Sequence, residues 1–352
     1  MKVKEVIEKY SPQVRIALES YFNHKLEQYQ GKKFGITPEI IKFLRKYTLA
    51  EITQPRPALV LVGYMAAGNK ITENIINTSI FTTFFTKYLA IHDDIIDQDD
   101  IKNDVPTIHI QSRKFNKSEK MGNDLAILAG DFLWSWAIEM ILNSPYPQKR
   151  KIEALNIISK TNELTNIGQV TDLDFVMREL GKMKNEQVWE MYTNKAALYC
   201  YSLPLTVGAI LGGLPQKLMN SLNRYARLVG AASQLKDDLE GVFGNEKVTG
   251  KSNIVDLRMG VKSLLVVKGY ELANKDEKNI LKNYIGKPDL TQKEASLIRE
   301  IITKVGARSY CEKMLKERGI QALGILEKNK KDINFNSWEY LDDLVRFRLG
   351  FK

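Results

Sequence analysis

Apolar residues recur at i, i+3 and i+4 along nearly all of this 352-residue chain, and no segment sustains the period-two alternation of a half-buried strand. That single pattern confines the fold to packed helices. The periodicity predicts helices over 14–29, 38–47, 56–67, 73–97, 124–142, 152–175, 186–211 and 216–243, then over 257–273, 292–305, 307–329 and 337–349. Breakers fall between them: Gly31 with Pro38, Asn69, Pro106, Pro145 with Pro147, Gly213 with Pro215, and Gly286 with Pro288. No fixed-period repeat is present, which excludes a solenoid. No Pro-, Gly- or Ser-rich linker divides the chain. The expectation is an all-α fold, one large helical bundle over residues 1–352, with N-terminal helices in 1–50.

Composition narrows the function. Hydrophobic residues are 44% and charged residues 27% of the chain, ordinary values for a globular protein with a sizeable core. Two cysteines exclude a disulfide scaffold, and three histidines leave no room for a His-rich zinc site or a Ser-His-Asp hydrolase. Cys200 and Cys311 read as inert buried thiols, and Trp134 and Trp136 as core. The net charge of +10 is moderate and spread out, without the dense basic block and interleaved aromatics of a nucleic-acid binder. Its remaining readings are an anionic membrane surface and an anionic small molecule. Residues 196–216 carry no charge, yet Ser202, Pro204 and three glycines interrupt them, so a buried helix is expected rather than a membrane span. The first nine residues carry charges where an export signal needs an apolar run, which points to the cytoplasm.

The sharpest chemical feature is Asp93-Asp94-Ile95-Ile96-Asp97. On a helix Asp93 and Asp97 stand one above the other, with Asp94 about 100° round. Carboxylates so close repel one another unless a cation sits among them. Oxygen donors suit Mg²⁺, which completes its shell with waters and substrate phosphates. The aromatic run from Phe81 to Ile91 argues that this helix is buried, so a solvated acidic end is disfavoured. A second acidic end, Gln234-Leu235-Lys236-Asp237-Asp238, precedes a loop with glycines and lysines that include Lys251 and Lys262. Two carboxylate walls and several lysines suit the departure of a diphosphate leaving group, where negative charge grows on oxygen.

At these residues the chain resembles the polyprenyl synthetase family, the trans-isoprenyl diphosphate synthases. Asp93 to Asp97 matches the first aspartate-rich motif and Gln234 to Asp238 the second. Gly250-Lys251, Asp256 and Gly260-Val261-Lys262-Ser263 match the segment that follows. Arg56-Pro57, Pro106-Thr107-Ile108-His109, Ala129-Gly130-Asp131, Gly168-Gln169 and Lys195-Ala196-Ala197 also fit, so the resemblance covers about 53–352. It implies a prenyl-synthase bundle, homodimeric or paired with a second subunit. Three Mg²⁺ ions on Asp93, Asp94, Asp97, Asp237 and Asp238 would bind an allylic prenyl diphosphate. The resemblance assigns Lys195 to catalysis as well as to substrate, and Arg56, Lys102, Gln234, Lys251 and Lys262 to substrate. Isopentenyl diphosphate is the default acceptor.

The departures from the family pattern gather on the acceptor side. A lysine position holds Thr53, a histidine position Thr86 and an arginine position Asn103, while Arg56 remains. Lys87 and Lys70 are the candidate replacements, although Lys87 lies about 100° round the helix from Thr86. Three readings stay open: an elongating synthase with a rebuilt acceptor site, a terpene synthase or prenyltransferase using another acceptor, and a weakly active partner subunit. Tyr88, five residues before Asp93, would floor the hydrocarbon cavity and limit products to C15–C20, or else serve only as a core aromatic.

Overall fold

A computed structural model describes residues 1–245 and 252–351. Helices dominate, and the strands among the described residues are a two-residue pair, Ile101–Lys102 against Val105–Pro106. The chain divides into two compact units. One comprises 1–157, 204–219 and 332–340, and the other 158–203, 220–331 and 341–352.

In the first unit the opening helix runs Val3–Gln28, beginning eleven residues before the periodicity placed it, with Pro12 inside. An interior proline forfeits a helical hydrogen bond, and burial of Val3, Val6 and Tyr10 holds the turns before it. The helix expected over 73–97 is two, Glu73–Ser79 and Phe81–Ile96. Thr78, Ser79 and Thr82 turn their hydroxyls back onto the carbonyls of Asn74, Ile76 and Ser79. Such back-bonding competes with the helical ladder and bends it. Phe81–Ile96 packs on the Glu119–Leu142 helix through the Phe85, Tyr88 and Trp134 rings. Among the described residues Glu119–Leu142 alone is long and apolar enough to cross a membrane by length and composition, and its Ala126, Ala129, Leu133, Trp136 and Ile141 are buried in the protein. The Pro55–Ala66 helix touches the Leu203–Gly212 helix at the backbone: a β-carbon on Gly63 would stand 2.2 Å from the Leu205 carbonyl oxygen.

The second unit packs Phe175, Val188, Tyr192, Leu235, Leu264, Ile298 and Cys311 into one core. The uncharged stretch over 196–216, which belongs in part to each unit, is not one regular helix. Thr193–Ser202 is wound as a π-helix, wider than the α-helix, before Leu203–Gly212 resumes α geometry. The helix expected over 257–273 is interrupted at Gly260, whose φ of 74° ends Val255–Met259 before Leu264–Leu272 begins. Lys275–Tyr284, a helix that the periodicity did not mark, is capped reciprocally by Asn274 and Glu277. Cys200 is half-buried rather than buried. Cys311 is fully buried, and burial pushes its thiol up to about 12.

Candidate active site

The first acidic segment closes the Phe81–Ile96 helix, and the Asp97 amide bonds the Asp93 carbonyl at 2.8 Å. Asp93 and Asp97 are therefore one turn apart, half-buried and exposed respectively. Gln98, at a φ of 58°, turns the chain out of the helix. Asp94 faces inward and is 1% exposed. Its carboxylate accepts from the Tyr47 hydroxyl at 2.6 Å and from the Lys102 ammonium. The carboxylate and the hydrogen-bonded position of Tyr47 push the phenol's pKa upward, together with burial as the largest cause. Lys102 stands on the first strand of the small hairpin, which Asn103 and Asp104 turn with φ values of 48° and 60°. Those left-handed values suit Asn and Asp and would strain an arginine.

The second segment lies on the Gln216–Phe243 helix. Asp238 is buried, accepting from the Tyr192 hydroxyl and, at 3.0 Å, from the Gln234 amide. Burial pushes its carboxyl up to about 7. Tyr192 also accepts the Leu264 amide at 2.8 Å, so one phenol ties two segments together. Asp237 takes both its oxygens to Arg348 at 2.7 Å. Gly241 leaves the space into which Asp256 reaches, since a β-carbon there would meet its carboxylate at 2.1 Å. Lys195, on the π-helical segment, is paired with Asp172. Gly168 admits the Lys195 backbone, which a β-carbon would strike at 2.3 Å. Lys262 is buried and donates to the Gly260 carbonyl at 3.0 Å, with its pKa lowered by burial. Lys251 lies outside the described residues.

No set of three Asp, Glu, His or Cys side chains among the described residues is gathered tightly enough to hold a metal unaided. The donor set is nonetheless carboxylate oxygen throughout, and Asp93 and Asp97 share one helix face. That fits Mg²⁺, which takes one or two carboxylates and leaves the rest of its octahedron to water and phosphate. Asp94 is hydrogen-bonded to Tyr47 and Lys102.

Among the residues expected on the acceptor side, the structure brings together what the helical wheel separated. Arg56, Thr86 and Lys87 line one small pocket with Glu51, Gln54 and Thr83. Thr53 is exposed. Tyr88 is buried edge-on to Phe85 and His92. Tyr47, Tyr192, Asp172 and Arg348 escape a sequence reading, because each partner is distant along the chain and none belongs to an acidic run; Glu51 escapes it because Lys87, its nearer partner in space, is 36 residues away, although Arg56 is only five residues on.

Residues 38–304 match the family model for polyprenyl synthetase. The chain belongs to the polyprenyl synthetase family. The match begins ahead of the 53 that the motifs alone marked, and it makes this protein a prenyltransferase. It is 28% identical to a geranylgeranyl diphosphate synthase of Methanosarcina mazei over 79% of this chain and 78% of that one. A synthase of the same name from Sulfolobus acidocaldarius is 30% identical over 73% and 76%. Among solved structures, the geranylgeranyl pyrophosphate synthetase of Pyrococcus horikoshii superposes with a TM-score of 0.82 at 25% identity, covering 98% of both chains. A Corynebacterium glutamicum synthase at 23% identity has a TM-score of 0.86, covering 98% of this chain and 99% of that one. These likenesses bear out the all-α prenyl-synthase fold.

Proposed function

We propose that this prenyltransferase ionises an allylic prenyl diphosphate and transfers the prenyl group to isopentenyl diphosphate, giving a C15–C20 product. The observation that carries the reading is the first acidic helix end, where Asp93 and Asp97 are presented on one face while Tyr47 and Lys102 fix Asp94 behind them. The curated relatives make geranylgeranyl and related diphosphates, which favours elongation over the cyclase and partner-subunit readings. The chain is proposed to work as one catalytic domain, as a cytoplasmic homodimer.

Asp93 and Asp97 on the first acidic segment, and Asp237 and Asp238 on the second, would each be Mg²⁺ ligands, proposed for three ions in all. Bound there, Mg²⁺ supplies positive charge to the diphosphate oxygens as the C–O bond breaks. Lys195 and Lys262 add fixed positive charge toward the leaving diphosphate, and Lys195 is oriented by Asp172. Gln234 positions Asp238. Arg56 is offered to the acceptor's diphosphate. Phe85, Tyr88 and Trp134 form an apolar wall that excludes water from an allylic cation, with Tyr88 as the floor that limits chain length.

The test incubates purified protein with Mg²⁺ and geranyl, farnesyl or geranylgeranyl diphosphate, with and without isopentenyl diphosphate, measuring released diphosphate and organic-soluble products together. Longer prenyl diphosphates formed only when isopentenyl diphosphate is added are the expected result. Diphosphate release yielding hydrocarbons or alcohols in its absence, or silence in every tube, overturns the reading.

A further inference from the structure

Glu51 stands between the two cations of the pocket that holds Arg56. Its carboxylate is 2.8 Å from the Lys87 ammonium and 3.6 Å from the Arg56 guanidinium. Lys87 is 4% exposed, so its charge faces the protein and this carboxylate rather than water. The free volume left around them is about 10 Å³, enough for a single water at most. Thr86 lines the same space, and its buried hydroxyl finds no hydrogen-bond partner among the described residues. The pocket thus has two cations and an unused hydroxyl facing one resident carboxylate.

A diphosphate needs those same donors, and carries more negative charge than the carboxylate it would meet. The two anions compete for one place, since like charges at hydrogen-bonding distance repel strongly away from water. The backbone is not what yields. Gln54 donates to the Glu51 carbonyl at 2.9 Å, and is itself held by Ser11 at 3.0 Å and by Thr83 at 2.9 Å. The side chain lies in the non-helical segment between Thr37–Leu49 and Pro55–Ala66, where it can swing without breaking a helix.

We propose that Glu51 is a built-in counter-ion of the acceptor subsite. It occupies the anion's place until the acceptor's diphosphate displaces it, and Lys87 then serves with Arg56 as a diphosphate-binding cation. Glu51 therefore sets how readily, and how selectively, the pocket takes a diphosphate-bearing acceptor. This rests on the reading above that the Arg56 pocket receives that diphosphate.

The experiment is steady-state kinetics on the full chain with Mg²⁺, varying isopentenyl diphosphate at saturating allylic substrate. Glu51→Gln should lower the acceptor's KM by about tenfold, with the effect falling on that KM rather than on kcat, and Lys87→Gln should raise it. An unchanged or higher KM in Glu51→Gln overturns the proposal. If Glu51→Gln does not fold, Glu51→Asp keeps the charge on a shorter arm. A lower KM there supports the proposal and an unchanged one overturns it. A wild-type protein that never elongates defeats the functional reading instead, so the two failures are distinguishable.

Discussion

The two acidic helix ends share an arrangement and differ in how their charge is met. In each, an aspartate turns inward onto a tyrosine hydroxyl: Asp94 onto Tyr47, and Asp238 onto Tyr192. Asp94 also has a cation, Lys102, reached through the hairpin that follows it. Asp238 has a neutral amide, Gln234, and its burial pushes the carboxyl up to about 7. The nearest charge compensation in the second segment goes to its neighbour, since Arg348 takes Asp237. Identical Asp-Asp dipeptides therefore sit in different electrostatic settings, set by residues far from either motif.

The most severe break is at the carboxylates themselves. Asp93→Ala and Asp238→Ala should each reduce diphosphate release from an allylic substrate by at least about 100-fold, because a lost charge partner in a shielded site removes several kcal/mol. Wild-type turnover in either variant would sink the two-cluster mechanism. Next comes the tyrosine pair, read by urea denaturation. Tyr192→Phe should cost about 2 kcal/mol, as it strips a bond from Asp238 and leaves the Leu264 amide without its acceptor. Tyr47→Phe should cost about 1 kcal/mol, since Lys102 remains on Asp94. Equal losses would erase the distinction between the two ends. Arg348→Ala removes a partly exposed pair and should shift stability by only about 0.5 kcal/mol, measurable in a double-mutant cycle with Asp237→Asn.

The smallest effect lies away from both ends and provides a control. Lys287 and Thr291 hold the Glu294 carboxyl down from 4.5 to about 2. A lowered carboxyl pKa stabilises the folded state above the unfolded value, and this contribution fades as pH falls from about 4.5 toward 2. Acid titration of Glu294→Gln should show a shallower decline across that window, with neither acidic end altered. An identical acid limb would show that this pair contributes nothing.

The helical class and both acidic motifs were legible because each is a local pattern: a period of three to four, and a spacing of four. Tyr47 and Tyr192 were not, since the bonds they make span 47 and 46 residues, and Arg348 reaches Asp237 across 111. The break at Ile80 was hidden because hydroxyl back-bonding leaves the apolar period intact. Reading Asn103 as a missing arginine overlooked the turn, whose left-handed φ has its own preference for Asn. Lys87 was a candidate replacement whose offset of about 100° from Thr86 counted against it. A long side chain beside a small pocket covers the roughly 100° between helix neighbours.

The wide winding of Thr193–Ser202 has a consequence for insertions and deletions. A π-helical stretch fits more residues into each turn than an α-helix. Removing one residue between Tyr192 and Leu203 would let it relax to ordinary pitch and keep the chain helical. The relaxation would rotate one flank against the other by about 100°, swinging Lys195 off Asp172. In this segment a one-residue deletion is therefore more damaging than most substitutions, because length, more than side-chain identity, sets where the lysine points.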